Sequence, residues 1–197
     1  MRSSSRRLRE YIVFAALGAI MFMSQIAMLG IPNVHLLALF IASFTLVYRK
    51  RALIPIYVYI FLFGAFVGFS PIGWIPYLYI WLPLWGMFML AGKFEFRKTI
   101  KIPKRILAKL PEKFPKTVPL KIPLYMFLCA LHGISFGAMW APAWAIFVGL
   151  SFEGMITWII FGLPFDVAHA IGNFVAATMI LPLTKLLKRL NAMGNMA

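Results

Sequence analysis

The chain has 197 residues, 62% of them hydrophobic, and a mean hydropathy of +0.88. Soluble domains are about 45–50% apolar, so this composition excludes an ordinary soluble domain and points to a membrane protein. The formal net charge of +15 would suggest a nucleic-acid partner in a soluble protein, but here the placement of the charges points to membrane topology instead.

Turn residues and charges divide the apolar text into six predicted spans. The N-terminal stretch MRSSSRRLREYIVFAALGAIMFMSQ begins like a signal peptide, with basic residues before an apolar run. That run is long and ends in no A-x-A-like cleavage pattern, so it reads as a retained first helix over roughly 11–29. The second span, roughly 34–48, is short and stops at Arg49, Lys50 and Arg51. The third, roughly 52–69, ends in GFSPIG, and the fourth, roughly 74–92, ends at Gly92 and Lys93. A basic link follows over 93–121, then a fifth span over roughly 124–148 that contains Pro142. The stretch from Leu150 to Leu187 is too long for one straight span. Proline is favoured in the first helical turn, so the sixth helix is expected to start near Pro164 and end near Lys185, with SFEGMITWIIF as a short surface helix or re-entrant piece.

The basic residues support six spans. The N-terminal segment carries four, the 49–51 link three, the 93–121 link ten and the C-terminal end three, which accounts for all 20 lysines and arginines. In a six-helix chain these segments share one side, and the other three links hold none. The positive-inside rule then puts both termini in the cytoplasm. The expected architecture is all-α: a single polytopic domain over 1–197 with six transmembrane helices in the cell membrane. The 93–121 link reads as a topology anchor, a docking surface for an acidic partner, or a segment lying on anionic lipid. It carries no recognisable nucleic-acid-binding motif.

Candidate site residues cluster in the last helix. Asp166, His169 and Asn173 fall at spacings that put all three on one helical face. With a start near Pro164, Asp166 would lie in the first turn, where the helix dipole favours an acid. Polar groups at membrane depth are costly against lipid, so this face should turn to the protein interior or a cavity. It would be a ligand-contacting stripe, or it would serve interhelical hydrogen bonding. His132 and Trp140 in the fifth span, Tyr77 and Trp81 in the fourth, and Gln25 and Asn33 around the first outer loop are further ligand-contact candidates. His35 lies in that same loop region. Ala15 and Ala19 in AALGA have the small-xxx-small spacing that lets another helix approach closely.

Catalysis finds little support. The chain contains no HExxH, GxSxG or phosphate-loop motif, and its three widely spaced histidines match no known metal-ligand spacing. Asp166 and His169 could form half of an acid–base pair in an intramembrane enzyme, but no nucleophile accompanies them. A non-catalytic membrane scaffold using the basic link is a third reading.

The pattern resembles the membrane-embedded substrate-binding subunits, or S components, of energy-coupling factor transporters. The residues that carry the resemblance are Ala15 and Ala19 in the first helix and the closing LPFDVAHAIGNF. The resemblance implies six helices with both ends cytoplasmic and a vitamin-like substrate bound from outside by the last three helices and the first outer loop. It also implies Ala15 and Ala19 packed on a transmembrane coupling subunit, two partner ATPases, and no cofactor or catalytic residue in this chain. Few charges and many aromatics favour a large or flat, weakly charged substrate, cobalamin-like or flavin-like, over an acidic one.

Overall fold

The computed structural model describes residues 2–31, 34–94, 98–109, 111 and 115–195. The architecture is all-α. Helix α1 spans Arg2–Ala27, α2 Leu37–Tyr48, α3 Leu53–Phe66, α4 Pro71–Trp74 and α5 Tyr77–Ala91. In the basic link come strand β1 (Thr99–Lys101), helix α6 (Lys104–Leu107) and strand β2 (Thr117–Pro119). Then follow α7 (Lys121–Ile134), α8 (Phe136–Val148), α9 (Phe152–Ala176) and α10 (Ile180–Asn195), the last two joined by a 3-10 turn.

Among the described residues, four helical stretches are long and apolar enough to cross a membrane: Arg7–Ala27, Pro71–Ala91, Lys121–Val148 and Phe152–Met193. With 12 and 14 residues, α2 and α3 are shorter and would span only about 18–21 Å at 1.5 Å per residue. A 3-10 turn, Arg49–Ala52, joins them. Helix α2 is apolar nearly all round and sits in the centre, with Leu37, Ala38, Ile41, Ala42 and Phe44 at most 1% exposed. It packs on α5 and α10, which is where a helix without a polar face belongs. Helix α1 lies along α3. An ideal Cβ on Gly18 would come within 2.6 Å of Val58.

The four basic segments meet at one end of the bundle. Arg51 pairs with Glu10, and Arg49 Nη2 donates to the Met89 carbonyl at 2.5 Å. Tyr48 donates to Asn191 Oδ1 at 3.3 Å, which brings the end of α10 to the same place. The Arg51–Glu10 pair is exposed, with side chains 67% and 34% accessible. Such pairs contribute less than about 1 kcal/mol. Glu10→Gln is therefore expected to leave the thermal midpoint in detergent almost unchanged; a large loss would mean the pair anchors α1.

Three elements differ from the sequence-based expectation. The fifth span is two helices, not one. Ser135 stands between them, and its hydroxyl lies within hydrogen-bond reach of the Leu131 and His132 carbonyls, at 2.9 and 3.1 Å; a hydroxyl that satisfies the last carbonyls in this way competes with helix continuation. The last span does not begin at Pro164. Ser151 caps α9, its Oγ accepting from the Gly154 amide at 3.1 Å, and Glu153 sits in the first turn. A side-chain cap and an acid at the first turn start the helix twelve residues early. Pro164 then lies inside α9, as prolines do in membrane helices whose neighbours compensate for the lost bond. Residues 152–162 are thus the beginning of a long helix rather than a re-entrant piece, and Asp166 is not in a first turn. Part of the basic link is also folded, with β1 and β2 pairing antiparallel in the register Ile100 to Val118.

Candidate functional site: a buried histidine–tryptophan cluster

In α9 the apolar side chains face outward, and the buried residues are Asp166, His169 and Asn173. The spacing that puts them on one face directs that face against α7 and α8. The exposed side holds Phe161, Phe165, Ile171 and Val175, each more than half accessible, as suits a helix bordered by lipid.

His169 meets both other histidines' surroundings in the interior. Its ring lies 4.4 Å from His35 and 4.6 Å from Phe136, both edge-on. His35, just ahead of α2, lies 5.8 Å from Trp81. Trp81, one turn into α5, stacks on His132 near the end of α7, with centroids 5.4 Å apart and planes at 23°. All three histidines of the chain therefore gather around Trp81 and Phe136, and each is under 9% exposed. Tyr59 and Tyr77 border Trp81 at 6.4 and 5.8 Å, and Trp140 packs on Tyr77 at 5.4 Å.

The hydrogen bonding of this cluster is incomplete. His132 Nε2 lies 2.8 Å from the Ile80 carbonyl. A carbonyl only accepts, so Nε2 carries the proton and Nδ1 of the neutral ring carries a lone pair. That Nδ1 is buried without a protein partner, as are His35 Nδ1, His169 Nε2, Trp81 Nε1 and Asn173 Oδ1. The Asn173 amide nitrogen donates, at 3.4 Å, to the Cys129 carbonyl. A buried polar atom left unpaired costs roughly 1–3 kcal/mol, and such atoms are rare in native proteins. Five such atoms lie among these packed rings.

Asp166 has a different task. Both carboxylate oxygens accept from the Gly137 amide, at 3.0 and 3.2 Å. Gly137 is the second residue of α8, so Asp166 caps the N-terminus of a neighbouring helix rather than its own. Its carboxylate is engaged by the Gly137 amide, while the His169 ring packs on His35 and Phe136.

The structure thus brings together His132, His169, Asn173, Trp81, Tyr77 and Trp140, with Asp166 bracing the neighbouring α8. Gln25 stands apart on α1, its Oε1 buried and unpaired. Asn33 lies outside the described residues. His35, Tyr59 and Phe136 belong to the cluster although the sequence reading did not select them as site residues. His35 could have been found: a chain with three histidines, each in apolar text, invites the question whether they meet. Beside the cluster runs an open groove of about 530 Å³, lined by Val34, Leu36, Ala168, Ile171 and Gly172. These residues flank His35, His169 and Asn173 in sequence, yet the groove wall is almost wholly apolar. The polar chemistry lies behind it. Among the described residues, no three histidine, cysteine or acidic side chains are placed to hold a metal ion.

Comparison with family models, with curated proteins and with solved structures finds no match for this chain. The multi-pass helical membrane architecture therefore rests on the chain's own composition and geometry.

Proposed function

We propose that this chain is the membrane-embedded substrate-binding subunit of an energy-coupling-factor type transporter for a vitamin-like micronutrient. It crosses the cell membrane six times with both termini cytoplasmic, takes its substrate from the outer side, and delivers it with a coupling subunit and two ATPases. The observation that carries this reading is the gathering of all three histidines around Trp81 and Phe136 in the interior. Polar rings set among aromatic ones, away from the basic end, suit capture of a small polar molecule. An Asp166 carboxylate engaged in holding the Gly137 amide favours binding over catalysis.

The partner surface is the outward stripe of α1. Leu8, Ile12, Ala15, Ala19 and Met23 share one face; Ala15 is exposed and Ala19 half-buried, and Leu8, Ile12 and Met23 are about 60% accessible. Two alanines between larger side chains leave a shallow, smooth strip for a second helix. The test is co-expression with the coupling subunit and ATPases of the same genome. Co-purification of all three and ATP-dependent uptake are expected, and Ala15→Trp/Ala19→Trp should abolish co-purification while the thermal midpoint holds. A chain that never recovers those partners would overturn the proposal.

A further inference from the structure

We infer that the basic link between α5 and α7 is an amphipathic β-hairpin that lies flat on the anionic lipid headgroups of the adjoining leaflet, with its Ile100, Ile102, Val118 and Leu120 face in the bilayer interface. This surface follows from the membrane architecture alone and would hold whatever the helical bundle binds.

The pairing of β1 with β2 sets the two faces. Ile100 stands opposite Val118, and the ladder continues beyond the strands. The Ile102 amide donates to the Lys116 carbonyl at 3.0 Å, and the Leu120 amide to the Lys98 carbonyl at 2.9 Å. Residues directly opposite each other share a face, as do residues two apart along a strand. One face therefore carries Ile100, Ile102, Val118 and Leu120, with Lys98 and Lys116 at its diagonal corners. The other carries Thr99, Lys101, Thr117 and Pro119. Among the described residues the two strands pack chiefly on each other, and Ile100 remains 42% accessible. A lone two-stranded ribbon is marginal in water, so an apolar face of this kind calls for a further surface.

The chain itself supplies that surface. Strand β2 ends at Pro119, and α7, which opens a stretch long and apolar enough to cross a membrane, begins at Lys121. The base of the hairpin is therefore tethered at the bilayer interface. The link carries ten lysines and arginines against two acids, Glu95 and Glu112, which complements an anionic leaflet. That attraction fades within a Debye length, about 8 Å at physiological ionic strength, whereas residues 98–102 extend about 16 Å at 3.3 Å per residue. An upright hairpin would hold Lys104, Arg105 and Lys109 out of reach. Lying flat keeps them near the headgroups, where their long stems can snorkel, and lowers the apolar face into the interface. An acidic protein would answer the charges but would leave that face without an apolar surface to meet.

The experiment uses the full chain carrying a polarity-sensitive fluorophore on one introduced cysteine, in vesicles of phosphatidylcholine with or without phosphatidylglycerol. The native Cys129 is buried, so mild labelling selects the new thiol. Ile100→Cys and Lys101→Cys place the label on opposite faces. With phosphatidylglycerol present, the label at position 100 is expected about 5–10 Å into the headgroup–acyl boundary. It should then show a blue shift and quenching by spin-labelled lipid, while the label at position 101 stays in water. Without phosphatidylglycerol, or with Lys98→Gln/Lys104→Gln/Arg105→Gln/Lys116→Gln added, the label at position 100 should lose both signals. Val118→Cys and Thr117→Cys repeat the comparison on β2 should a β1 variant fail to fold. Equal signals at positions 100 and 101 would overturn the two-faced hairpin. A blue shift at position 100 that ignores phosphatidylglycerol would overturn the anionic-lipid assignment. Labels in water in both kinds of vesicle would overturn the membrane contact and leave an acidic protein as the occupant. The binding-subunit reading stands or falls separately, on recovery of its partner subunits.

Discussion

Gly133→Ala is expected to destabilise the protein by about 3 kcal/mol and to disturb the histidine cluster at the same time. An ideal Cβ on Gly133 would lie 2.7 Å from Ala170 Cα, 2.8 Å from Ala170 N and 3.0 Å from the His169 carbonyl carbon. All three are backbone atoms and cannot rotate aside. The only relief is to separate α7 from α9, the most extensive helix–helix packing in the fold. Close-packed interiors resist such shifts. Gly133 follows His132 and meets the residue after His169, so moving the helices apart also moves the two histidines apart. Gly162→Ala, on the same α9, is the control. A Cβ there would meet nothing within 4 Å, and replacing a helix-interior glycine should stabilise by about 0.5–1 kcal/mol. Thermal unfolding in detergent compares the two. Equal midpoints for Gly133→Ala and Gly162→Ala would mean that α7 and α9 do not pack this closely.

Gly137→Ala should cost about 2–4 kcal/mol, more than Asp166→Asn. An ideal Cβ on Gly137 would sit 2.5 Å from Asp166 Oδ2 and 3.2 Å from Oδ1, the two oxygens that hold the Gly137 amide. The new methyl group and the carboxylate cannot share that space, so Asp166 must leave and α8 loses its N-terminal cap. A displaced carboxylate at this depth has no cation to receive it. Asp166→Asn keeps the shape and one acceptor oxygen, so about 1–2 kcal/mol is expected. The decisive result is the order of the two midpoints. If Asp166→Asn proves the worse variant, the carboxylate's charge outweighs its fit.

The cluster was partly legible in the sequence. Asp166, His169 and Asn173 could be assigned to one inward face because helical periodicity is local, and the structure buries all three. The task of Asp166 could not be read, because the amide it holds is 29 residues away on another helix. The start of α9 was misplaced for a related reason. Pro164 is a strong local signal for a first turn, but the Ser151 cap and the packing of α9 along α8 over its early residues extend the helix past it.

By itself the sequence determined that this is a helical, multi-pass membrane protein whose basic residues are segregated to one side, because hydrophobic length and charge placement act residue by residue against the bilayer. Only the tertiary structure decided that His35, His132 and His169 meet around Trp81. They lie 97 and 37 residues apart along the chain, and helices meet according to packing between distant faces, chiefly the close approach at Gly133. It also decided which polar rings meet in the interior, and those rings are what give the proposed site its chemistry.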